Sequence, residues 1–275
     1  MTTDLATLRV MRSVVRAVLS GVAGLALAAA AVTSPAAAAS PLEYDALGDS
    51  YASGYGVPPY SATCGRSQSA YAVRLDRLKK IDLDDFVACA GATTTTLVSG
   101  GQLAALDTDT DLVTISIGGN DVRWGDAVGA CLGGTDAQCT TALATARAAV
   151  TNALPGLLDS VYAQISSSAP NAHVVVTGYP RLFSPKHGVY FNASVAEQKA
   201  LNNGADLLNK TIAKAAKRHG FQFVSVTKRF RDHGANAAKP WILGVMSPGR
   251  FHPSAKGYRA YTSAITAAVK AARLK

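Results

Sequence analysis

The feature that most constrains the fold is a regular alternation of short apolar segments with longer segments of helical pattern. Strands are predicted for a segment ending at Ser50 and for residues 86–89, 111–117, 173–178 and 221–226. Helices are predicted for residues 69–79, 140–168 with an interruption at Pro155, 194–219 and 254–274. Strands that alternate with helices form a parallel sheet covered on both faces. Such sheets carry their functional sites at the carboxyl ends of the strands.

The N-terminus does not belong to that alternation. Arg9, Arg12 and Arg16 precede an apolar run over residues 17–32, and a stretch of small residues ends at Ala39. The run is short for a membrane span and lacks a basic stop-transfer flank. We therefore predict a signal peptide over residues 1–39, one domain over residues 40–275 and secretion to the extracellular space.

Charge bears on the class of partner. The chain has 27 Lys and Arg against 18 Asp and Glu, and removal of the leader's three arginines and one aspartate leaves a formal excess of seven. The basic residues are dispersed, with a local concentration over residues 210–231, which is typical of a solvated helix face rather than a nucleic-acid site. We expect a monomer with no nucleic-acid partner. Attraction to anionic lipid or cell-wall polymers stays open.

Cysteine usage indicates disulfides. Four cysteines form an even set without CxxC spacing, which in an exported protein favours disulfides over a metal site. Of the three connectivities, we favour Cys131 with Cys139 and Cys64 with Cys89 because this choice pairs neighbours in sequence. The glycines between Cys131 and Cys139 suit a small closed ring.

Four residues fall at the predicted site edge of the sheet. Ser50, Gly91 and Asn120 follow the first three strands, and His252 precedes the last helix. Acyl transfer needs a nucleophile, a base and donors to the oxyanion. Ser50 is the candidate nucleophile and His252 the candidate base. The candidate oxyanion donors are the backbone N–H groups of Ser50 and Gly91 and the Asn120 amide. Taken singly, each is also an ordinary turn, packing or helix-entry residue, so only their joint arrangement favours catalysis.

The four residues stand in sequence blocks that resemble the SGNH hydrolases, the GDSL-type esterases and lipases, and in particular their secreted actinobacterial branch. The blocks are Gly48-Asp49-Ser50-Tyr51, Cys89-Ala90-Gly91-Ala92-Thr93-Thr94, Gly118-Gly119-Asn120-Asp121 and His252-Pro253. The resemblance implies a flavodoxin-like, three-layer α/β/α sandwich with a five-stranded parallel sheet. It also implies hydrolysis of carboxyl esters without a metal or another cofactor.

The histidine block departs from the family pattern. The position three residues before His252, where the family usually carries the triad acid, is Gly249. We therefore predict a Ser50–His252 dyad in which a backbone carbonyl of residues 247–250, that of Gly249, orients the imidazole. The rival interpretation is a carboxylate from elsewhere, with Asp232 as the leading candidate because it follows the fifth strand.

The substrate is less constrained by the sequence. Residues 179–191 suit an acyl chain beside an anionic head group. They combine the aromatic residues Tyr179, Phe183, Tyr190 and Phe191 with the basic residues Arg181, Lys186 and His187. An ordinary loop with buried aromatics explains the same pattern. We predict a lipase-like or phospholipase-like esterase that contacts lipid surfaces transiently. The alternatives are a carbohydrate acetyl esterase, a broad carboxylesterase, or an inactive relative that binds lipid or cell wall.

Overall fold

A five-stranded parallel sheet forms the centre of the computed structural model, which describes residues 40–61, 63–78 and 80–272. The strands are β1 Leu42–Gly48, β2 Tyr60–Ser61, β3 Arg66–Ser67, β4 Ile81–Phe86, β5 Leu112–Ser116, β6 His173–Thr177 and β7 Gln222–Val224. β2 and β3 form a separate antiparallel pair. The large sheet has the order β4-β1-β5-β6-β7, with every neighbouring pair parallel. This is the flavodoxin-like order, as predicted.

Helices cover both faces of the sheet. They are α1 Ser50–Ser53, α2 Tyr71–Asp76, α3 Thr94–Ser99, α4 Trp124–Gly133, α5 Asp136–Asn152, α6 Leu154–Ser168, α7 Val195–Arg218 and α8 Ala255–Ala272, with 3-10 turns at Gln102–Ala105 and Pro185–His187. α2 and α8 pack on one face, and α3, α6 and α7 on the other. In β6, Val175 belongs to the core under α2 and α8, whereas Val174 and Val176 belong to the opposite core. The predicted three-layer sandwich is confirmed.

Three element predictions were wrong in detail. The second strand of the large sheet is β4 and not residues 86–89, because Ile81 to Phe86 alternates aspartates with apolar residues as an exposed edge strand can. Residues 87–89 directly follow that strand, and their N–H groups still donate to the carbonyls of Ala46 and Gly48 in β1. The helix predicted over residues 140–168 is interrupted at Ala153 and not at Pro155, and its two parts are α5 and α6. No helix was predicted where α4 lies.

Both predicted disulfides are confirmed. Cys64 is bonded to Cys89, and Cys131 to Cys139. The second bond does not close a free loop, since Cys131 lies in the last turn of α4 and Cys139 in the first turns of α5. It therefore fixes the angle between these two helices.

The chain from Ser40 onward forms one unit. The predicted signal peptide over residues 1–39 lies outside the described residues, as does the predicted helix end at Leu274, so both stay predictions. Among the helices of the described part, none combines the length and the apolar character needed to cross a membrane.

Candidate active site

The turn between β1 and α1 places Ser50 at the carboxyl end of the sheet. Gly48 has a φ of +125°, and a Cβ there would lie 2.3 Å from the Ser116 carbonyl oxygen, so only glycine fits. The next residue, Asp49, caps α1 because its Oδ1 accepts the Tyr51 N–H at 2.9 Å. Ser50 is therefore the first residue of a short helix, and the tight turn at Gly48 and the Asp49 cap fix where that helix starts. Its side chain lines the main cavity.

His252 lies directly beside Ser50. Its Nε2 is 2.8 Å from Ser50 Oγ, and its Nδ1 is 3.0 Å from the carbonyl oxygen of Arg250. A carbonyl can only accept a hydrogen bond, so Nδ1 carries the proton and the Nε2 lone pair faces the hydroxyl. Burial lowers the pKa of His252, and the nearby backbone of Arg250 and Gly249 opposes this effect by raising it. A neutral imidazole in this geometry can accept the hydroxyl proton.

The prediction that Gly249 orients the imidazole was wrong by one residue. The Gly249 carbonyl accepts the backbone N–H of His252 at 3.1 Å, and the Arg250 carbonyl faces the ring instead. Close backbone contact explains the glycine, because a Cβ at Gly249 would lie 2.4 Å from the Gly56 Cα. The position where an acid was expected therefore has no room for a side chain.

The rival carboxylate is engaged elsewhere. Asp232 pairs with Lys186 at 2.8 Å, and both side chains are more than half exposed. The hydrogen bond from Lys186 lowers the pKa of Asp232. The carboxylate is therefore ionised, and its partner is Lys186 and not the imidazole. Among the described carboxylates, none forms a hydrogen bond with the His252 ring.

The segment that carries His252 is held by a short antiparallel pairing and by a buried hydroxyl. The Leu243 N–H donates to the His252 carbonyl, and the Phe251 N–H donates to the Leu243 carbonyl, both at 2.9 Å. The Tyr51 hydroxyl donates to the Phe251 carbonyl at 2.5 Å. Tyr51 and Tyr55 also flank the imidazole, with ring centroids 5.3 and 4.9 Å away. The residue next to the nucleophile thus positions the histidine.

Asn120 joins the loops that follow β4 and β5. Its Nδ2 donates to the Ala92 carbonyl at 2.9 Å, which leaves the second amide hydrogen free for a ligand in the cavity. The adjacent Asp121 accepts hydrogen bonds from the Thr94 N–H and hydroxyl, the latter at 2.6 Å. Gly91 precedes Ala92 but borders a neighbouring cavity. The structure brings Ser50, His252 and Asn120 into one cavity and places Gly91 beside it.

The cavity that contains these three residues has a volume of about 530 Å³. One wall is the polar group described above. A second wall is α4, which contributes Trp124, Gly125, Val128 and Gly129, and the remaining apolar lining includes Pro180, Leu182, Leu208, Pro248 and Phe251. Trp124 seats against Gly204 of α7, where a Cβ would lie 2.2 Å from the indole ring. The site therefore combines a polar corner with an apolar channel.

Comparison with known proteins agrees with this arrangement. The sequence model of the GDSL-like Lipase/Acylhydrolase family matches residues 46–260. Lipase 1 of Streptomyces coelicolor is 41% identical over 242 residues, covering 86% of this chain and 89% of the relative. The chain belongs to the GDSL-like lipase/acylhydrolase family. It is therefore a carboxylic ester hydrolase, as predicted, and its substrates are small-molecule esters.

Two solved structures share the fold of this GDSL-family chain. The extracellular lipase from Streptomyces rimosus superposes with a TM-score of 0.79 at 36% identity, covering 82% of this chain and 99% of that one. The phospholipase A1 from Streptomyces albidoflavus NA297 also gives 0.79, at 35% identity, covering 83% of this chain and 99% of that one. The predicted resemblance to the actinobacterial branch is thereby confirmed.

Two parts of this GDSL site were missed from the sequence. The first is α4, whose apolar residues Trp124, Val128 and Leu132 have helical spacing but are interspersed with glycines, which are poor helix formers. The second is the bridging role of Tyr179, which follows β6 after Gly178 and was expected from the sequence only as an aromatic side chain for the substrate. Its hydroxyl donates to Asp49 Oδ2 at 2.5 Å and accepts the Gly119 N–H at 3.1 Å. Its position at a strand's carboxyl end was the available signal.

The Tyr179 hydroxyl connects the nucleophile's turn with the Asn120 loop. Burial raises the pKa of Asp49 to about 7, against hydrogen bonds led by that of Tyr179, which lower it. Tyr179 is itself fixed, because its backbone N–H and carbonyl pair with the Asn209 amide at 2.8 Å each. A change at Tyr179 would therefore reach both Ser50 and Asn120.

Metal-ligand atoms cluster at two places in the described part of the chain. One group is Asp45, Asp84 and Asp85, and the other is Cys131, Cys139 and Glu197. The two cysteines of the second group are bonded to each other. Neither group includes a residue that lines the cavity of Ser50.

Proposed function

We propose that the chain is a secreted serine hydrolase that cleaves carboxyl esters of acyl lipids through an acyl-enzyme on Ser50. The observation that carries this proposal is the 2.8 Å contact between Ser50 Oγ and His252 Nε2 in a cavity that also has an apolar wall. The polar corner supports the chemistry, and the apolar channel supports an acyl chain.

In the first step, Ser50 Oγ attacks the ester carbonyl carbon while His252 Nε2 takes the hydroxyl proton. The Arg250 carbonyl keeps the Nδ1 proton in place, so Nε2 is the basic nitrogen. A neutral acceptor stabilises the resulting imidazolium less than a carboxylate does. The low pKa that burial gives His252 adds to this cost and keeps the base neutral before attack.

The tetrahedral oxyanion needs donors that are already aimed at it. Asn120 retains one amide hydrogen after its bond to Ala92. The backbone N–H groups of Ser50 and Gly91 donate to no other described residue. These three donors form the proposed oxyanion hole.

Collapse of the intermediate breaks the bond to the leaving alcohol, which takes the proton from the imidazolium. A water molecule then attacks the acyl-enzyme, with His252 again acting as base, and the carboxylic acid leaves as Ser50 recovers its proton. No atom is supplied by a cofactor in this cycle.

The cavity lining supports an acyl chain as the group bound by α4, with a volume in the usual range for small-molecule sites. Of the residues expected to line it, Tyr179 does so, whereas Phe183, Tyr190 and Phe191 are outside it. Arg181 and Lys186 pair with Asp206 and Asp232. Among the described lysines and arginines, Arg250 is the one that lines the cavity, and we assign it to the head group. The Streptomyces lipases and phospholipase A1 support the same substrate class.

Export and a monomeric state belong to the same proposal. Two disulfides suit an oxidising compartment. The relative from Streptomyces rimosus is an extracellular lipase. The mass of the protein recovered from culture medium tests cleavage after residue 39, and light scattering tests the monomer.

The test of the function is a panel of esters assayed with the wild type, Ser50→Ala and the control Ser263→Ala, a surface serine of α8. We expect Ser50→Ala to keep less than about a thousandth of kcat and Ser263→Ala to match the wild type. Octanoyl or longer esters and phospholipids should exceed acetyl esters in kcat/KM by about tenfold. A preference for acetylated sugars would indicate a carbohydrate esterase instead, and no hydrolysis by the folded protein would indicate a binding relative.

A further inference from the structure

Exposed apolar side chains are concentrated around the mouth of the cavity. Of the five large apolar side chains exposed among the described residues, Val189, Phe191 and Met246 are exposed by 65%, 53% and 85%. A fourth, Tyr60, stacks on Tyr55, which lines the cavity, at 5.2 Å between ring centroids. The fifth, Leu157, lies on α6, which contributes no residue to the cavity lining.

Val189, Phe191 and Met246, here called the rim patch, lie on two loops that contact each other. Tyr190 joins them, because its hydroxyl accepts the Val245 N–H at 3.0 Å and its ring lies 5.0 Å from that of Phe191. The loop of Met246 continues into Pro248 and Arg250, which line the cavity. The rim patch is therefore built onto the edge of the site.

Cations adjoin these apolar side chains. Exposed Lys186 lies three residues before Val189 and pairs with exposed Asp232, and exposed Arg250 follows Met246 by four residues. The chain without the predicted leader keeps a formal positive excess of seven, from 24 Lys and Arg against 17 Asp and Glu. Apolar side chains edged by cations match the interface of an anionic lipid surface, where acyl chains lie beneath charged head groups.

We propose that the rim patch inserts into the surface of aggregated anionic lipid and holds the cavity mouth against it. This inference rests on the proposed function, since the surface it binds would supply the acyl lipid that the cavity accepts. A stable contact with a second copy would need roughly 800 Å² from each partner, which three side chains on loops do not provide.

The test uses Phe191→Ser/Met246→Ser and the matched control Leu157→Ser, which removes an exposed apolar side chain from α6. Both are placed in the Ser50→Ala background and sedimented with phosphatidylglycerol or phosphatidylcholine vesicles. We expect the double variant to bind phosphatidylglycerol vesicles about tenfold more weakly than Leu157→Ser, which should match the parent within about twofold. The parent should prefer phosphatidylglycerol at low salt.

The second measurement uses the active enzyme with Ser50 intact. The double variant should hydrolyse a monomeric butyrate ester within about twofold of the wild type and vesicle phospholipid about tenfold more slowly. Equal sedimentation of the double variant and Leu157→Ser overturns the proposal, as does a matching loss on the butyrate ester. Dimerisation abolished by the double variant would assign the rim patch to a second copy and overturn it too.

The two proposals fail separately. If the wild type cleaves only soluble esters while the Ser50→Ala protein still binds vesicles through the rim patch, the lipid substrate is wrong and the docking surface stands. If vesicle phospholipid is cleaved equally well without the rim patch, the substrate stands and the docking surface is wrong.

Discussion

The polar wall of the cavity, which carries Ser50 and His252, differs from the wall formed by α4 in how tightly its groups are held. On the polar wall, hydrogen bonds hold the catalytic groups in place. They join Ser50 to His252, His252 to the Arg250 carbonyl, and Tyr179 to Asp49. On the α4 wall, Trp124 and Val128 alternate with Gly125 and Gly129, where an added Cβ would meet no atom within 4 Å. One wall fixes atoms and the other leaves space.

This difference separates rate from selectivity. Reacting atoms must be held within a fraction of an ångström, which requires hydrogen bonds and packed rings. An acyl chain needs only apolar surface and volume. Changes to the polar wall should therefore lower kcat for every ester alike, whereas changes to α4 should alter the dependence on chain length.

The largest effect is expected for loss of the base. His252→Ala should lower kcat by about a thousandfold or more for short and long esters alike, because no other described group can take the Ser50 proton. Asp232→Asn is the control and should stay within about threefold of the wild type. Steady-state kinetics on two chain lengths measures both. A collapse of Asp232→Asn to the level of His252→Ala would mean that the carbonyl-oriented dyad is wrong.

The next effect concerns the oxyanion. Asn120→Ala should lower kcat by about a hundredfold with KM changed by less than about threefold, because the amide acts on charge that develops in the transition state. The loss should be the same for acetyl and octanoyl esters. An effect on KM alone would remove Asn120 from the oxyanion hole.

Tyr179→Phe tests the bond between the two catalytic loops. The variant leaves the Gly119 N–H and one Asp49 oxygen without their partner, so kcat should fall about tenfold and the free energy of unfolding by about 1–3 kcal/mol. Tyr162→Phe is the matched control, since the buried Tyr162 hydroxyl has no hydrogen-bond partner within the described part of the chain. Urea unfolding and kinetics compare the two, and equal behaviour would contradict the bridging role.

Gly129→Leu tests the open wall. The added side chain should fill space along α4 and lower kcat/KM about tenfold for hexadecanoyl esters while leaving acetyl esters within about twofold. Gly133→Leu, one turn further along α4 and outside the cavity lining, controls for the gain in helix propensity. Equal loss on both esters would show that this wall also governs the reacting atoms.

The smallest effect is a shift of the acidic side of the pH profile of kcat/KM, here called the acid limb, to lower pH. Only neutral His252 can act as base, so kcat/KM should fall as pH drops through the His252 pKa, and burial places that pKa below the ordinary value of about 6.5. Asp49, with a pKa of about 7, titrates nearby. Asp49→Asn should therefore keep the acid limb. An acid limb with a midpoint above about pH 6.5, or loss of the acid limb in Asp49→Asn, would contradict its assignment to His252.

The polar wall was largely predictable from the sequence because its residues lie at strand ends, where parallel sheets place their sites. Ser50 and Asn120 were found in this way, His252 was found in the loop before the last helix, and both disulfides followed from neighbouring cysteines. The acceptor for the imidazole was misplaced by one residue, because backbone direction in a loop depends on contacts such as that between Gly249 and Gly56.

The α4 wall was missed for a different reason. Its residues carry no reactive groups, and its glycines weaken the helical pattern that reveals other helices. What makes it a wall is tertiary packing, including Trp124 against Gly204, which is 80 positions away in the sequence. Edge strand β4 was predicted too late in the sequence for a related reason, because its aspartates interrupt the apolar pattern of residues 81–86.

The most direct test of the account is covalent trapping with an alkyl fluorophosphonate, which reacts with activated serines, followed by mass mapping of the modified peptide. We predict one adduct per chain, on Ser50, with a rate that falls at least a hundredfold in His252→Ala. An adduct on another residue, or none while ester hydrolysis persists, would contradict the assignment of Ser50 as the residue that carries the acyl group.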